Sequence, residues 1–410
     1  MNKIIKIFVL TFLLNSVSLC IASNPEKDEY KKPDNFIYSI DSSLHGFSNK
    51  NFAKDFLKPN ISDTIQYPTE IYKIRIANLS GSMIIPLEYN EFVQKYIDAY
   101  SIQNKTKLNR IYALSKYYFP LFEDYLIKYN LPLELKYLSA IESALDVNAI
   151  SVSGATGLWQ FVKSTSDVMG LKVNSYIDER RDPFMSTEAA CKYLEYLYRT
   201  FEDWHLALAA YNGGPGAVKK AILRAGGNTN YWEIRKYMSE QMQNYVPAFI
   251  AMAYLLNHTE EHQVKEAGAI YSFYDIDTIH VSGPINLANL ANELNFSFED
   301  IKFLNPMFYK NFIPDDGNTY PLVLPHSKAT AFLVKQIGGQ LTDSIKIFDY
   351  SAQKKNIEKV QKLHAVERGE SLHKIAMKYS CTVKDILEWN GLQENHNLLF
   401  GEKLIIFVDK

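Results

Sequence analysis

The hydrophobic rhythm of the chain changes three times. At the start, Lys3 and Lys6 precede an apolar run from Ile7 to Leu14. That run is shorter than a bilayer-spanning helix requires and has the form of a secretion signal. Cys20-Ile21-Ala22 fits a small-x-small cleavage site, so 1–22 is expected to be removed. A polar stretch holding Pro33 and Pro59 follows, then an apolar, β-branched segment from Ile71 to Ile85. Together 23–85 read as a tether and lead-in. Over 86–262 apolar residues recur at helical spacing. One stripe is Phe92, Val93, Tyr96, Ile97 and Tyr100. A second helix covers Tyr112 to Tyr129 and stops near Asn130 and Pro132. Leu135, Leu138 and Ile141 mark a short one. Ala190, Leu194, Leu197, Tyr198 and Phe201 mark another, starting near Ser186. Trp204 to Tyr211 is short, and Tyr245 to Asn257 is long.

The C-terminal third carries an internal repeat. His280-Val281 onward aligns without gaps to Ala365-Val366 onward at an offset of 85 residues. Leu287 then meets Leu372, Ala291 meets Ala376, Asp300-Ile301 meets Asp385-Ile386, and Asn305 meets Asn390. Each copy reads strand, helix, helix, strand. The expected fold is therefore multidomain. A mostly α-helical domain over 86–262 is followed by small α+β (βααβ) modules at 278–326 and 361–410, joined by a linker over 327–360.

Composition narrows the function. The 410 residues carry a formal net charge of −2, which offers no basic field for nucleic acid. With 28 Tyr and 23 Phe the chain has rings enough to stack on sugars, although an aromatic-rich core explains them equally well. Once Cys20 is removed, Cys191 and Cys381 remain in different expected domains and read as buried single thiols. A lipoprotein signal modified on Cys20 is the rival to cleavage after Ala22, with the large Leu19 against it. No Cys and His set has structural-zinc spacing, and His258 and His262 read as a polar helix end. No metal or cofactor is expected.

The candidate chemistry centres on Glu142. It lies beside the Leu135, Leu138, Ile141 stripe at a helix end, where apolar neighbours would raise its pKa and keep it protonated as a general acid. A solvated surface glutamate is the bland alternative. The surrounding motifs favour the acid: Glu142-Ser143, then Gly154-Ala155-Thr156-Gly157-Leu158-Trp159-Gln160-Phe161, then Asp178 to Pro183 (Asp-Glu-Arg-Arg-Asp-Pro), then Ala210-Tyr211-Asn212-Gly213-Gly214-Pro215-Gly216, then Tyr245-Val246-Pro247.

In that order these pieces resemble the catalytic domain of the lytic murein transglycosylases, nearest to the membrane-bound type D, over roughly Pro86 to Asn257. The resemblance implies a lysozyme-like helical domain with a cleft. Glu142 would be the catalytic acid and then base, and Ser143, Gly157, Gln160, Tyr211, Asn212 and Tyr245 would line the site. Amides suit sugar hydroxyls and N-acetyl groups, and tyrosines offer a ring face plus a hydroxyl. One position departs from the pattern: the family often has Glu four residues before the matched tyrosine, and here that residue is Gln241. Asp146, Asp178, Glu179 and Asp182 are the possible second carboxylates, with Asp182 reading equally as a helix-start residue before Pro183. Trp159 and Trp232 are candidates for sugar stacking, Trp232 the more readily a core residue.

The second repeat copy, His364 to Val408, resembles a LysM module, which binds N-acetylglucosamine-containing glycan. The resemblance points to Gly369, Glu370, Ser371, Leu372 and the region from Asn390 to Leu392 as sugar contacts. The first copy is divergent, with Gly283-Pro284-Ile285-Asn286 in its first loop. It is expected either to bind glycan weakly or to pack against the catalytic domain. The function implied is a peptidoglycan lytic transglycosylase that cuts between N-acetylmuramic acid and N-acetylglucosamine, forms a 1,6-anhydro product and is targeted by LysM binding. A hydrolytic muramidase of the same fold, or a non-catalytic wall-binding scaffold, are the alternatives. Its partner is the glycan strand, and its expected location is the periplasm or the outer membrane.

Overall fold

The computed structural model describes residues 65–265, 271–336, 347–348, 359–367, 370–379, 381–393, 396, 398 and 401–409. The expected secretion signal, the expected tether as far as residue 64, and Gly369 lie outside the described residues.

The helical domain is built around one central helix, Glu240–Asn257, which starts where the Ser239 hydroxyl accepts from the Met242 amide. Every residue from Tyr245 to Leu255 on it is buried, so it is apolar on all sides, as a core helix must be. Helices Glu91–Asp98, Trp204–Gly213 and Tyr137–Ser143 pack directly against it. Side-chain caps fix where the neighbours begin. Asn90 accepts from the amides of Phe92 and Val93, and Asp203 from that of Leu206. Asp182 caps Pro183–Phe201, which begins with its proline at the first turn, three residues ahead of the expected Ser186. The helix expected from Tyr112 starts earlier, giving Lys105–Lys128.

Part of the expected lead-in is a helix instead. Thr69–Gly81 buries Tyr72 and Ile76 in the same core, so the packed unit begins upstream of Pro86. Its β-branched residues do not prevent this, because burial of one face outweighs propensity. Arg75 lies over the Tyr67 ring at 4.2 Å and donates to the Tyr254 hydroxyl at 3.4 Å, which joins this helix to the central one. His262 is fully buried beside them, not part of a polar helix end, and burial pushes its pKa down to about 4.

The first repeat copy pairs strand Ile276–Val281 antiparallel with Tyr320–Pro325, and Ile347–Phe348 adds an edge. Helices Leu287–Glu293 and Phe298–Leu304 cover the sheet. Helix His326–Gln336, placed in the linker by sequence, buries Ala329 and Phe332 in this module. The module is docked on the helical domain: Phe303 meets Tyr117 at 5.2 Å, Ile177 enters the module's core, and Leu304 and Val323 enter the large one.

The second copy pairs Lys359–Ala365 with Lys403–Asp409 around helices Leu372–Lys378 and Val383–Asn390. Its core, including Ile375, Cys381, Ile386 and Ile406, is its own. Cys191 and Cys381 are both buried free thiols. No helix among the described residues is long and apolar enough to cross a membrane.

Candidate active site

Glu142 occupies the last turn of the short helix Tyr137–Ser143. Leu135, Leu138 and Ile141 are fully buried and anchor that helix. It ends because Ala144 and Leu145 both turn left-handed, at φ 54° and 61°. Glu142 itself is half-buried. The Tyr245 hydroxyl, carried by the central helix, donates to Glu142 Oε1 at 2.5 Å. Burial raises the Glu142 carboxyl to about 7, and the Tyr245 bond opposes this by favouring the charged form. Burial and the nearby Glu142 charge both push the phenols of Tyr245 and Tyr211 well up, so both remain proton donors.

The loop 154–161 is bonded into the same unit. Leu158 C=O accepts from the hydroxyls of Ser139 and Ser143, both at 2.9 Å. Trp159 C=O accepts from the Tyr211 hydroxyl at 2.8 Å. Gly157 has φ +84°, and a Cβ there would lie 1.9 Å from the Arg180 carbonyl oxygen, so only glycine fits. Gln160 is half-buried at φ 49°, and its amide nitrogen donates to Gly157 C=O at 2.9 Å and Ala149 C=O at 3.2 Å. Its amide oxygen is the part left for a ligand. Asn212 Oδ1 is buried and has no hydrogen-bond partner among the described residues. Gly213 lets its helix close on Met242, whose sulfur a Cβ would meet at 2.2 Å.

Several expectations are corrected by this geometry. Ser143 does not line a cleft. It is 3% exposed, and its hydroxyl is held by Ser139 C=O and Leu158 C=O. Trp159 cannot stack on a sugar, because it is fully buried with its indole N–H on Thr187 Oγ1 at 2.9 Å. Trp232 is half-buried and packs against the large core beside Tyr231, in keeping with its reading as a core residue. Gln241 is exposed on the first turn of the central helix.

The other carboxylates all have structural bonds. Asp146 accepts from the Asn148 amide at 2.9 Å and lies 4.0 Å from Arg110. Asp178 holds Arg180 through both oxygens, Glu179 accepts from the Lys172 amide at 2.6 Å, and Asp182 caps its helix. Among the described residues no His, Cys, Asp or Glu cluster is arranged to hold a metal. Sequence reasoning missed Ser139 and Arg180, whose bonds to the loop 154–161 are to main-chain carbonyls. Their only visible signals were the i, i+4 pair Ser139/Ser143 and the Arg-Arg within the Asp178 to Pro183 motif.

In the second module, Asn390 is a staple and not a free sugar contact. Its amide donates to the carbonyls of Ile386 and Ile405 and accepts from the Ile405 amide. Glu370 accepts from His364 Nε2 at 2.7 Å and from the Glu367 amide, Ser371 is buried, and Leu372 packs on the small core.

Comparison with known proteins agrees with this arrangement. Residues 121–234 match the transglycosylase SLT domain. Residues 275–336 match the LysM-like domain of lytic transglycosylase MltD, and 364–407 match the LysM domain. The chain is a lytic transglycosylase of the SLT class. Similar proteins include membrane-bound lytic murein transglycosylase D of Escherichia coli K12, at 29% identity over 76% of this chain and 67% of that protein. A putative tributyltin chloride resistance protein of an Alteromonas species is 38% identical over 25% of this chain and half of its own length. Membrane-bound lytic murein transglycosylase F of Alcanivorax borkumensis is 34% identical over 24% of this chain and 22% of its own. The SLT match of this lytic transglycosylase contains Glu142, Gln160, Tyr211 and Asn212, and ends before Tyr245.

Proposed function

We propose that this lytic transglycosylase cleaves the β-1,4 bond between N-acetylmuramic acid and N-acetylglucosamine and leaves a 1,6-anhydromuramoyl end. The observation that supports this is the isolation of Glu142. It is a half-buried acid held near 7 and paired with a phenol, while Asp178, Glu179 and Asp182 are tied into the protein's own bonds and Asp146, whose Oδ2 accepts no hydrogen bond, faces Arg110 at 4.0 Å. A two-carboxylate hydrolase needs a second group free to act on the sugar or on water.

One acid then serves twice. Protonated Glu142 gives its proton to the glycosidic oxygen as the bond to the anomeric carbon breaks. The substrate's own N-acetyl group stabilises the charge left on that carbon. The Glu142 carboxylate, receiving the Tyr245 hydrogen bond, next takes the proton of the muramic acid 6-hydroxyl. That oxygen closes on the anomeric carbon, Glu142 ends protonated as it began, and no water is consumed. The amide oxygens of Gln160 and Asn212 are the acceptors we assign to sugar N–H and O–H groups. Ser143 and Gly157 hold the loop and helix that carry them.

The LysM modules are read as holding the enzyme on insoluble wall, which raises its effective concentration there. A secreted protein at the periplasmic or outer-membrane face suits this substrate and the N-terminal signal.

The test is mass spectrometry of products from purified sacculi with wild type and Glu142→Gln. Anhydro ends with wild type, absent with the variant, are expected. Reducing ends one water heavier would replace this reading with a hydrolase, and no products from wild type would favour a binding scaffold.

A further inference from the structure

The segment from Asn174 to Asp182 has the first LysM-type module on one side and the loop 154–161 on the other. On the module side, the Asp178 amide donates to Met307 C=O at 3.0 Å, and the Tyr309 hydroxyl donates to Asn174 C=O at 2.8 Å. The Ile177 side chain, 1% exposed, is part of the module's core. On the loop side, Arg180 is almost fully buried, and its guanidinium donates four hydrogen bonds. Nε and Nη2 donate to the two oxygens of Asp178 at 2.9 and 2.8 Å, and Nη1 donates to Gly154 C=O at 3.0 Å and Phe161 C=O at 3.2 Å. Those two carbonyls are the ends of the loop. At its middle, the Arg180 carbonyl presses on Gly157. The same loop holds the Glu142 helix through Ser139 and Ser143, and holds Tyr211 through Trp159 C=O.

We propose that Arg180 is a positioning residue for transglycosylation, and that the docked module aims Glu142 through it. Fixed polar bonds run without a break from Met307 to the Glu142 helix. The forked guanidinium is required, because one side chain must satisfy a carboxylate and two divergent carbonyls at once, which a lysine ammonium cannot do. A loosened loop would admit water to Glu142, weaken the desolvation that keeps it protonated, and move its titration toward the ordinary carboxylate range. This inference rests on Glu142 being the acid.

The experiment uses the full chain on soluble glycan fragments, with Arg180→Lys and Asp178→Asn at the brace and Ile177→Ala and Tyr309→Phe at the dock. The half-exposed Tyr309 keeps its ring in the phenylalanine variant, so that protein should fold even if the buried variants do not. Circular dichroism gives the folded fraction for each. Arg180→Lys is expected to lose about tenfold or more in kcat per folded molecule, with KM within about twofold. The alkaline limb of its kcat/KM profile should move down by about half a pH unit or more. The dock variants should move the limb the same way by less. Activity that follows the folded fraction alone, with an unchanged profile in all four, would reduce the segment to a structural role and overturn the proposal. A shift confined to the brace variants would remove the module from it. Failure of the underlying reading looks different: Glu142→Gln would stay active, or wild type would have no alkaline limb near 7.

Discussion

At the scale of single residues, the function turns on one proton. In the proposed reaction Glu142 starts protonated, so kcat/KM should fall as pH rises through about 7. The proposed mechanism uses one acid, and Asp178, Glu179 and Asp182 are held in the protein's own bonds, so no acid limb is expected while the protein stays folded. A symmetrical bell centred near pH 5 would point to a two-carboxylate mechanism instead. Tyr245→Phe removes the bond that favours the charged form, so it should move this limb upward, opposite to the Arg180 variants, and reduce kcat about tenfold. The same burial has a stability cost. The folded-state pKa lies above the ordinary glutamate value of 4.5, so folding favours the protonated form. That contribution is complete below about 4.5 and is lost as pH rises to about 7. Glu142→Gln should therefore be inactive yet gain stability relative to wild type across that window, by on the order of 2 kcal/mol. Thermal melts of both proteins at pH 4 and pH 8 would show it, and a constant Tm difference would contradict a desolvated acid. The structure brings together Glu142 and Tyr245, two residues singled out in the sequence because their chemistry belongs to their residue types. The grip of Arg180 on the loop, Ser139 and the true setting of Ser143 were not legible, because hydrogen bonds to main-chain carbonyls leave no matching residue at the other end.

At the scale of elements, the repeat was legible and one of its residues was misread. Asn305 and Asn390 occupy the same place in the two copies and do the same job. Asn305 donates to the carbonyls of Ile301 and Val323 and accepts from the Val323 amide, as Asn390 does with Ile386 and Ile405. Each asparagine pins the second helix to the last strand. Proximity to the loop that sequence comparison associates with sugar had suggested a ligand contact for Asn390. Asn390→Ala removes three bonds and leaves a strand amide without its acceptor, so it should destabilise the second module by about 2–3 kcal/mol. Hydrogen exchange at the Ile405 amide should accelerate accordingly, and unchanged protection there would mean that the staple carries little weight. The helix Thr69–Gly81 was missed for a different reason. Isoleucines at 71, 74 and 76 resemble a strand in a window that holds no tertiary information. Only the pocket that takes Tyr72 and Ile76 decides the matter, and that pocket is made by distant residues such as Tyr254 and His262.

At the scale of the whole molecule, the order of domains could be read from the chain, but the difference between the two modules could not. Phe303, Leu304 and Val323 look like ordinary core positions of a repeat, yet they meet the catalytic domain. Ile177 looks like a loop residue of the catalytic domain, yet it fills the module. Among the described residues the second module encloses its own core, and Lys384 over the Tyr274 ring at 5.9 Å is a surface contact. The two should therefore fail differently when disturbed. Removing the chain from Val360 onward takes away a binding unit and leaves the Arg180 brace intact. Soluble fragments diffuse to Glu142 unaided, so activity on them should stay within about twofold of wild type. On sacculi the enzyme must remain beside an insoluble strand between cuts, and losing one of two linked attachments should lower the rate by about tenfold or more. Ile177→Ala should instead lower both rates together, because its effect reaches Glu142 whatever the substrate. Comparing both proteins on both substrates separates a module that holds the wall from one that holds the catalytic loop. Equal losses for the truncation on both substrates would show that the second module, too, supports the cleft.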